Sequence, residues 1–401
     1  MKLLFVVQRY GPQVFGGAEQ FCRDYATRLA ARGHEVDVVT SCALSYVDWA
    51  DHYPAGDSVL DGVTIHRFPV VAARDNETFN ALNARLTAGH RPSPLFLQRE
   101  WMRQQGPRLD GFLDWIDREV GAFDLAIFVG YLYWTTYAGM PVASAQVPVL
   151  FHPTAHDEPP IYLPLFDAEF RHAAAFGFLS PEEATLVERR FHVRRRSIVN
   201  GIGVDLDAVG DEGSFRSRFG LGDDPYLLYV ARIDPHKGSD ELFGHFVTYK
   251  ERHPGPLKLV FVGEPVHPLP THPDVVVTGW ADEQTWTDSF AGALAFVNPS
   301  YFESFSRALV EAWAQRLPAL VQGRCAVLRG QVVRSGGGVP YGGFAEFEAA
   351  VDMLVGDERL RTRMGSAGRA YAESHYGWDG LLQRYEAFLD EVVASRRVRA
   401  H

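Results

Sequence analysis

The sequence predicts an α/β protein made of two Rossmann-like, doubly wound domains. Residues 3–7 form a continuous apolar run, typical of a strand buried on both faces of a parallel sheet. Apolar residues then recur at three- and four-residue spacing from Ala18 to Ala30, and residues 36–40 form a second β-branched run. The same alternation restarts near residue 226, and 401 residues suffice for two or three domains of about 100 to 200 residues each.

The rest of the first half continues this sheet. Apolar runs predict further strands at 125–129, 147–151, 175–179 and 197–199. Residues 41–121 are less regular, with Trp, Pro, Asp and Arg interspersed. We expect that segment to be a long excursion that carries helices over the strand ends, where it would shape a binding site.

The second half repeats the pattern. Its strands are predicted at 226–231, 257–262, 275–278, 293–298 and 319–322, the last completing the sheet. Helices are expected from an N-cap at Ser239 to about Arg252, near 282–291 and from about Ser306. Glycines and acids cluster without periodicity at 200–213, which predicts a linker, a first domain over 1–204 and a second over 205–375.

The composition excludes several classes of protein. Lys and Arg total 39 against 50 for Asp and Glu, and a net charge of −11 would repel a nucleic acid duplex. Cys22, Cys42 and Cys325 are too few for a disulfide framework and suit a reducing cytoplasm. The opening apolar run is shorter than a secretory h-region, and no run approaches 18 apolar residues. We expect a cytoplasmic protein.

A glycine-rich loop, FGGAEQ at 15–20, joins the first strand to the first helix. Gly16 and Gly17 would let the backbone approach a ligand, and the amides of a helix N-terminus favour phosphate. A tight turn without a ligand is the alternative. The GxGxxG spacing of a dinucleotide site is missing, so the loop favours a phosphate over a whole cofactor.

Two cations follow the strand at 226–231, in the string ARIDPHKG. Carboxyl ends of parallel strands face the crevice of a doubly wound sheet, so Arg232 and Lys237 would point at whatever binds there. A forked guanidinium and a compact ammonium together suit a diphosphate. The alternative is a solvated surface loop.

Two glutamates follow the strand at 293–298. Glu303 lies in the loop and Glu311 in the helix, and a carboxylate there can accept hydrogen bonds from two hydroxyls of a sugar or ribose. The alternative for Glu311 is an exposed helix face on which it pairs with Arg307 at i, i+4.

The strings FGGAEQ, NGIGVD, ARIDPHKG and FVGE, together with the spacing of Glu303 and Glu311, closely resemble family 4 of the retaining glycosyltransferases, which have the GT-B fold. The resemblance covers nearly the whole chain in the family's order and spacing. It implies transfer of a sugar from a nucleotide diphosphate sugar, a UDP- or GDP-sugar, to an acceptor hydroxyl, with retention, no metal and no cofactor. It also implies an acceptor-binding first domain, a donor-binding second domain and a final helix, 376–401, that packs back on the first.

The resemblance carries roles to individual positions. Arg232 and Lys237 would hold the donor diphosphate and stabilise the charge on the leaving group. Glu303 would contact the donor sugar and Glu311 the ribose hydroxyls. The other donor-side positions are Gly16, Gly17, Gly263, Trp280, Phe305 and Ser306.

One departure from the family concerns a histidine. Many relatives carry a His just after the strand that here reads DLAIFVGYLYW, where this chain has Val129, Gly130 and Tyr131 instead. The next strand end offers His152, His156 and Asp157, and we expect His156 or Asp157 to hold the sugar or the acceptor, with His152 and Tyr131 as further acceptor-side candidates. A capping or turn role is the alternative, and the spacing matches no standard metal site.

The sequence does not determine the acceptor, the pathway or a contact with a membrane. A glycan, a lipid-linked or a small-molecule acceptor would fit synthesis of a cell-envelope polysaccharide, a glycolipid or a secondary-metabolite glycoside. The basic run of Arg189, Arg190, Arg194, Arg195 and Arg196 would meet anionic lipid at the inner membrane face, or is a solvated helix end. The rival functions are an inverting or epimerising GT-B enzyme, against which the Glu303 and Glu311 pair argues, and a nucleotide-sugar-binding protein without turnover.

Overall fold

The computed structural model describes residues 1–14, 16–87 and 93–397, with the side chains of 396 and 397 left out. Within it the chain forms two compact units. Unit 1 comprises Met1–Asn200 and the segment from Leu382 onward, and unit 2 comprises Gly201–Leu381. The first boundary lies at the start of the glycine- and acid-rich stretch at 200–213.

Unit 1 is built on an eight-stranded sheet of order β3-β4-β2-β1-β5-β6-β7-β8, in which β3 and β4 pair antiparallel and the other neighbours are parallel. The strands are β1 (Lys2–Val6), β2 (Glu35–Ser41), β3 (Gly56–Leu60), β4 (Val63–Phe68), β5 (Leu125–Val129), β6 (Val149–His152), β7 (Ala175–Phe178) and β8 (Arg196–Val199). The helices are α1 (Gly17–Ala31), α2 (Asn76–Thr87), α3 (Leu95–Gln105), α4 (Phe112–Glu119), α5 (Trp134–Ser144) and α6 (Pro181–Phe191), with 3-10 turns at Val120–Ala122, Pro159–Tyr162, Pro164–Asp167 and Glu169–His172.

The expectation for residues 41–121 was incomplete. The segment carries α2, α3 and α4, as predicted, but it also adds the hairpin of β3 and β4 to the sheet. Polar residues in β4 obscure the strand pattern, yet they are buried with partners. His66 lies between Asp37 of β2 (Nε2 to Oδ2, 2.9 Å) and Asp57 of β3 (Nδ1 to Oδ1, 2.8 Å).

Unit 2 is built on a six-stranded, all-parallel sheet of order β11-β10-β9-β12-β13-β14. The strands are β9 (Tyr226–Val230), β10 (Lys258–Val262), β11 (Val275–Val277), β12 (Ala295–Asn298), β13 (Ala319–Gln322) and β14 (Gly338–Tyr341). The helices are α7 (Glu212–Phe219), α8 (Ser239–Arg252), α9 (Glu283–Phe290), α10 (Arg307–Ala314), α11 (Ala326–Ser335), α12 (Phe344–Gly356) and α13 (Glu358–Tyr376), with a 3-10 turn at Pro235–Lys237.

Two details of unit 2 differ from the prediction. The sheet does not end with β13, because GVPY forms the edge strand β14, where a proline is tolerated. Ser239 is the first residue of α8 and not its N-cap. That position belongs to Gly238, whose φ of +77° is in the left-handed region that glycine adopts readily.

The last helix, α14 (Trp378–Arg397), contributes to unit 1 from Leu382 onward. The Tyr385 hydroxyl lies 2.7 Å from Nε2 of His152 at the end of β6. Glu386 accepts two hydrogen bonds from Arg32, at 2.9 and 2.8 Å. Among the described residues, no helix is both long and apolar enough to cross a bilayer.

Candidate active site

The loops after β9 and β12 meet at the carboxyl edge of the unit 2 sheet. The two strands are neighbours although a crossover through β10 and β11 separates them in sequence, so they flank the point where the strand order reverses. Crevices of this kind bind ligands in open α/β sheets. Gly238 allows the close approach, because a Cβ there would lie 2.4 Å from the carbonyl oxygen of Pro299.

The predicted cations lie in the loop after β9. The Lys237 ammonium donates to Oε1 of Glu303 at 2.8 Å, and the two side chains are 31% and 13% exposed. Arg232 donates through Nη2 to Oδ2 of Asp234 at 2.6 Å and is 41% exposed. The other carboxylate oxygen of Asp234 accepts from the His236 amide at 3.0 Å, which caps the 3-10 turn. The structure therefore brings Lys237 and Glu303 together and fixes Arg232 on the same loop.

The end of β10 lies against that loop. Gly263 has a φ of +146°, and a Cβ there would lie 2.0 Å from the carbonyl oxygen of Ala231. Its amide donates to the carbonyl oxygen of Gly279 at 3.1 Å. Trp280 follows and is 59% exposed. Only glycine fits at position 263 without moving the backbone that leads into Arg232.

Both oxygens of Glu311 have partners within unit 2. Oε1 accepts from Nε of Arg307 at 2.7 Å, as the helical spacing predicted. Oε2 accepts from the indole Nε1 of Trp286 on α9 at 2.9 Å, a contact that the sequence did not predict. Each carboxylate oxygen has a second lone pair, so this fixed carboxylate retains the capacity to accept from hydroxyls.

The start of α10 is ordered by its own side chains. Ser306 is the N-cap, and its hydroxyl oxygen accepts from the Leu309 amide at 3.3 Å. The side-chain amide of Asn298, the last residue of β12, donates to the same oxygen at 3.0 Å. Phe305 is buried and packs edge-on against Tyr376, with ring centroids 5.2 Å apart. The predicted positions Phe305 and Ser306 thus lie on a well-anchored helix start.

In unit 1, the glycine-rich loop is held by an ion pair that the sequence did not reveal. Arg9 donates through Nε to Oε1 of Glu19 at 2.9 Å and through Nη1 to the Leu44 carbonyl oxygen at 2.8 Å. A Cβ at Gly16 would lie 2.3 Å from Oε2 of Glu19, whereas Gly17 faces open space. Phe15, the first residue of the motif, lies outside the described residues. Glu19 stands inside FGGAEQ, but nothing in the local spacing indicates that its partner is Arg9, ten residues earlier in the chain.

His152 is not an acceptor-side residue in this structure. It is 1% exposed, and a Cβ on Gly177 would lie 2.0 Å from its ring. Its Nε2 pairs with the Tyr385 hydroxyl. Burial lowers the pKa of His152 to about 3. The imidazole is therefore a neutral core group that joins β6 to α14, and the expectation based on its place at a strand end is corrected.

The other unit 1 candidates, Tyr131 after β5 and His156 and Asp157 after β6, have polar neighbours in the loop after β6. Oε1 of Glu158 accepts from the Tyr131 hydroxyl at 3.2 Å and lies 3.5 Å from Nδ1 of His156. Oδ1 of Asp157 accepts from the Tyr162 hydroxyl at 2.5 Å. Tyr131 is buried, which raises the pKa of its phenol well above the usual value. His156, at 29% exposed, is the more accessible of the two histidines.

The basic run is partly neutralised. Arg190 pairs with Asp167 at 2.8 Å and donates to the Ile161 carbonyl oxygen at 3.0 Å. Arg196 pairs with Glu391 at 3.3 Å. In the described part of the chain, no three His, Cys, Asp or Glu side chains are grouped so that they could hold a metal ion.

Comparison with known proteins identifies the family. Residues 16–201 match the glycosyl transferase 4-like domain, and residues 212–371 match glycosyl transferases group 1. The chain belongs to the group 1 glycosyltransferases. The D-inositol 3-phosphate glycosyltransferase of Nocardia farcinica is 27% identical over 416 aligned residues, which cover 95% of this chain and 87% of that protein.

Similarity to solved structures shows that this glycosyltransferase has the GT-B fold. Sucrose-phosphate synthase of Thermosynechococcus elongatus superposes with a TM-score of 0.71 at 16% identity, covering 98% of this chain and 100% of that one. HepE of Anabaena, in complex with UDP, has a TM-score of 0.69 at 16% identity and the same coverage. The predicted family and fold class are confirmed.

Proposed function

We propose that this glycosyltransferase is retaining and metal-independent, and that it moves a sugar from a nucleotide diphosphate sugar to an acceptor hydroxyl. The observation that carries the proposal is the pairing of Lys237 with Glu303 at the carboxyl edge of β9 and β12, on the loop that also carries Arg232. The UDP complex of HepE supports a UDP-sugar, and a GDP-sugar is the alternative donor.

In this proposal, unit 2 binds the donor. The bond between the anomeric carbon and the phosphate oxygen breaks, and negative charge develops on the diphosphate. Arg232 and Lys237 stabilise that charge, so no metal ion is needed for it. Glu303 orients the sugar, and Glu311 accepts from the ribose hydroxyls. Gly263 and Trp280 lie toward the base, and the amides of Phe305 and Ser306 add to the phosphate site.

Unit 1 binds the acceptor in the same proposal. The acceptor hydroxyl attacks the anomeric carbon on the face that the diphosphate leaves, and its proton passes to the departing phosphate oxygen. Such a step depends on orientation more than on a strong nucleophile. His156 and Asp157 hold the sugar or the acceptor, and Gly16 and Gly17 let the backbone approach the donor phosphates or the acceptor.

The acceptor is a glycan, a lipid-linked molecule or a small molecule. The similarity to a D-inositol 3-phosphate glycosyltransferase supports including a small phosphorylated polyol among the first acceptors tried. We place the reaction in the cytoplasm, with Arg189, Arg194 and Arg195 as a peripheral contact for anionic lipid. Reversing these three charges should abolish binding to phosphatidylglycerol vesicles, and unchanged binding would refute that contact.

The test combines turnover with stereochemistry. The purified protein is incubated with UDP-glucose or GDP-mannose and an acceptor panel that includes D-inositol 3-phosphate, and release of the nucleoside diphosphate is followed. Proton NMR of the product then reports the anomeric configuration. An axial linkage from an axial donor supports retention, and an inverted linkage contradicts it. Tight donor binding without release of diphosphate would instead favour a nucleotide-sugar-binding protein.

A further inference from the structure

The loop that carries Glu303 is held at a second point. Residues 299–306 connect β12 to α10, and the Tyr301 hydroxyl donates to Oε2 of Glu241 on α8 at 2.6 Å. Lys237, four residues before Glu241 along the chain, binds Glu303 in the same loop. The loop is therefore bonded on one side of Phe302 to the first turn of α8, and on the other side to the 3-10 turn that precedes α8.

Glu241 is itself fixed by neighbouring elements. Its Oε1 accepts from Nε2 of Gln322, the last residue of β13, at 3.3 Å, and lies 3.5 Å from Nε2 of His245. Gln322 is fully buried, and its Oε1 accepts from the Arg324 amide at 3.1 Å. The carboxylate of Glu241 thus connects the carboxyl end of β13 to the loop after β12.

The hydrogen bond from Tyr301 to Glu241 is of a strong type. A phenol that donates to a carboxylate forms a charge-assisted hydrogen bond, which is shorter and stronger than a neutral one. Partial burial, and then the bond to Glu241, raise the pKa of Tyr301, so the phenol keeps its proton at neutral pH. The contact does not include any group assigned above to the donor.

We propose that Tyr301 and Glu241 are positioning residues, which hold the loop so that Glu303 faces Lys237 and the donor sugar. The inference rests on the proposed function in so far as Glu303 acts on the donor. Its structural half, that the Tyr301 bond orders the loop, stands independently of any activity.

Hydrogen exchange tests the structural half. Tyr301→Phe removes only the hydroxyl. Tyr249→Phe is a matched control, since Tyr249 lies on α8, the helix of Glu241, and its hydroxyl donates to a different carboxylate, Oδ1 of Asp352, at 2.8 Å. We expect the amides of residues 300–306 to exchange faster in the first variant and at the wild-type rate in the second. Equal exchange of this loop in both variants would overturn the proposal.

Kinetics test the positioning role, with release of UDP from UDP-glucose as the readout. Tyr301→Phe should lower kcat about tenfold with little change in KM, because a misplaced group costs rate more than binding. Glu241→Gln keeps an acceptor for Tyr301 and should retain most of the rate, whereas Glu241→Ala should not. Faster loop exchange with an unchanged kcat would overturn the positioning role. No release of nucleoside diphosphate by the wild type from either UDP-glucose or GDP-mannose would instead count against the proposed function, and the exchange result would still stand.

Discussion

The ammonium of Lys237 lies 2.8 Å from Oε1 of Glu303, which joins the loop after β9 to the loop after β12. An ammonium has three N–H donors, so Lys237 can keep this partner and still donate to phosphate oxygens. The carboxylate thus orients the cation, and both groups face the same strand edge.

Removing the Lys237 ammonium should mainly slow the reaction. Lys237→Ala should lower kcat by about 10² to 10³-fold, since it removes a donor aimed at the developing charge. Lys258→Ala is the control, because Lys258 pairs with Asp224 at 3.3 Å elsewhere in unit 2 and should leave the rate unchanged. Steady-state release of the nucleoside diphosphate measures both. Equal rates for the two variants would refute the role of Lys237.

Neutralising Glu303 should separate rate from nucleotide affinity. Glu303→Gln keeps the shape of the side chain but removes its charge, so the orientation of Lys237 and of the sugar is weakened. We expect kcat to fall by at least about tenfold while the Kd of the free nucleoside diphosphate stays near the wild-type value. Titration calorimetry supplies the Kd. A parallel loss of rate and nucleotide affinity would contradict this assignment.

A methyl group at Gly263 should disturb the backbone that leads into Arg232. The new Cβ would lie 2.0 Å from the carbonyl oxygen of Ala231, at a φ that suits glycine. Gly263→Ala should destabilise unit 2 by about 1 to 3 kcal/mol. Gly244→Ala, in α8 with nothing within 4 Å of its Cβ, should be neutral or stabilising. Thermal unfolding compares the two variants, and equal melting temperatures would contradict the steric argument.

The stability of unit 1 should depend on the protonation of His66. Burial alone would lower the pKa of His66, but the hydrogen bonds to Asp37 and Asp57 outweigh burial and raise it above 6.5. Because the folded state binds this proton more tightly, its stabilisation is complete below pH about 6.5 and is lost as pH rises through the folded-state pKa. His66→Asn should therefore cost about 1 to 2 kcal/mol at pH 5.5 and less at pH 8.5. A difference in melting temperature that grows with pH would contradict this.

The sequence predicts those parts of the candidate site that depend on spacing within one helix or at the end of one strand. The strand ends that carry Arg232 and Glu303 follow from apolar runs, and the Arg307–Glu311 pair follows from the period of a helix. Local patterns of this kind do not indicate contacts between residues that are far apart in the chain. Trp286 reaches Glu311 from another helix, 25 residues away in sequence.

The error at His152 has the same origin. A histidine at the carboxyl end of a parallel strand is expected to face the crevice, and the sequence offers no reason to think otherwise. Its burial depends on the absence of a side chain at Gly177 and on Tyr385, which lies 233 residues later in the chain. Packing between such distant residues cannot be read from local periodicity.

The most direct test of the donor site measures binding of UDP, GDP, ADP and TDP to three proteins: the wild type, Glu311→Ala and Arg307→Ala. The rise in melting temperature that each nucleotide causes reports the binding. Arg307→Ala is the control, since it removes the partner of Glu311 but keeps the carboxylate and its bond from Trp286. We predict that one nucleotide stabilises the wild type and Arg307→Ala, and that Glu311→Ala binds it at least about tenfold more weakly, a loss of about 1.4 kcal/mol. Equal stabilisation of all three proteins, or none by any nucleotide, would contradict the account.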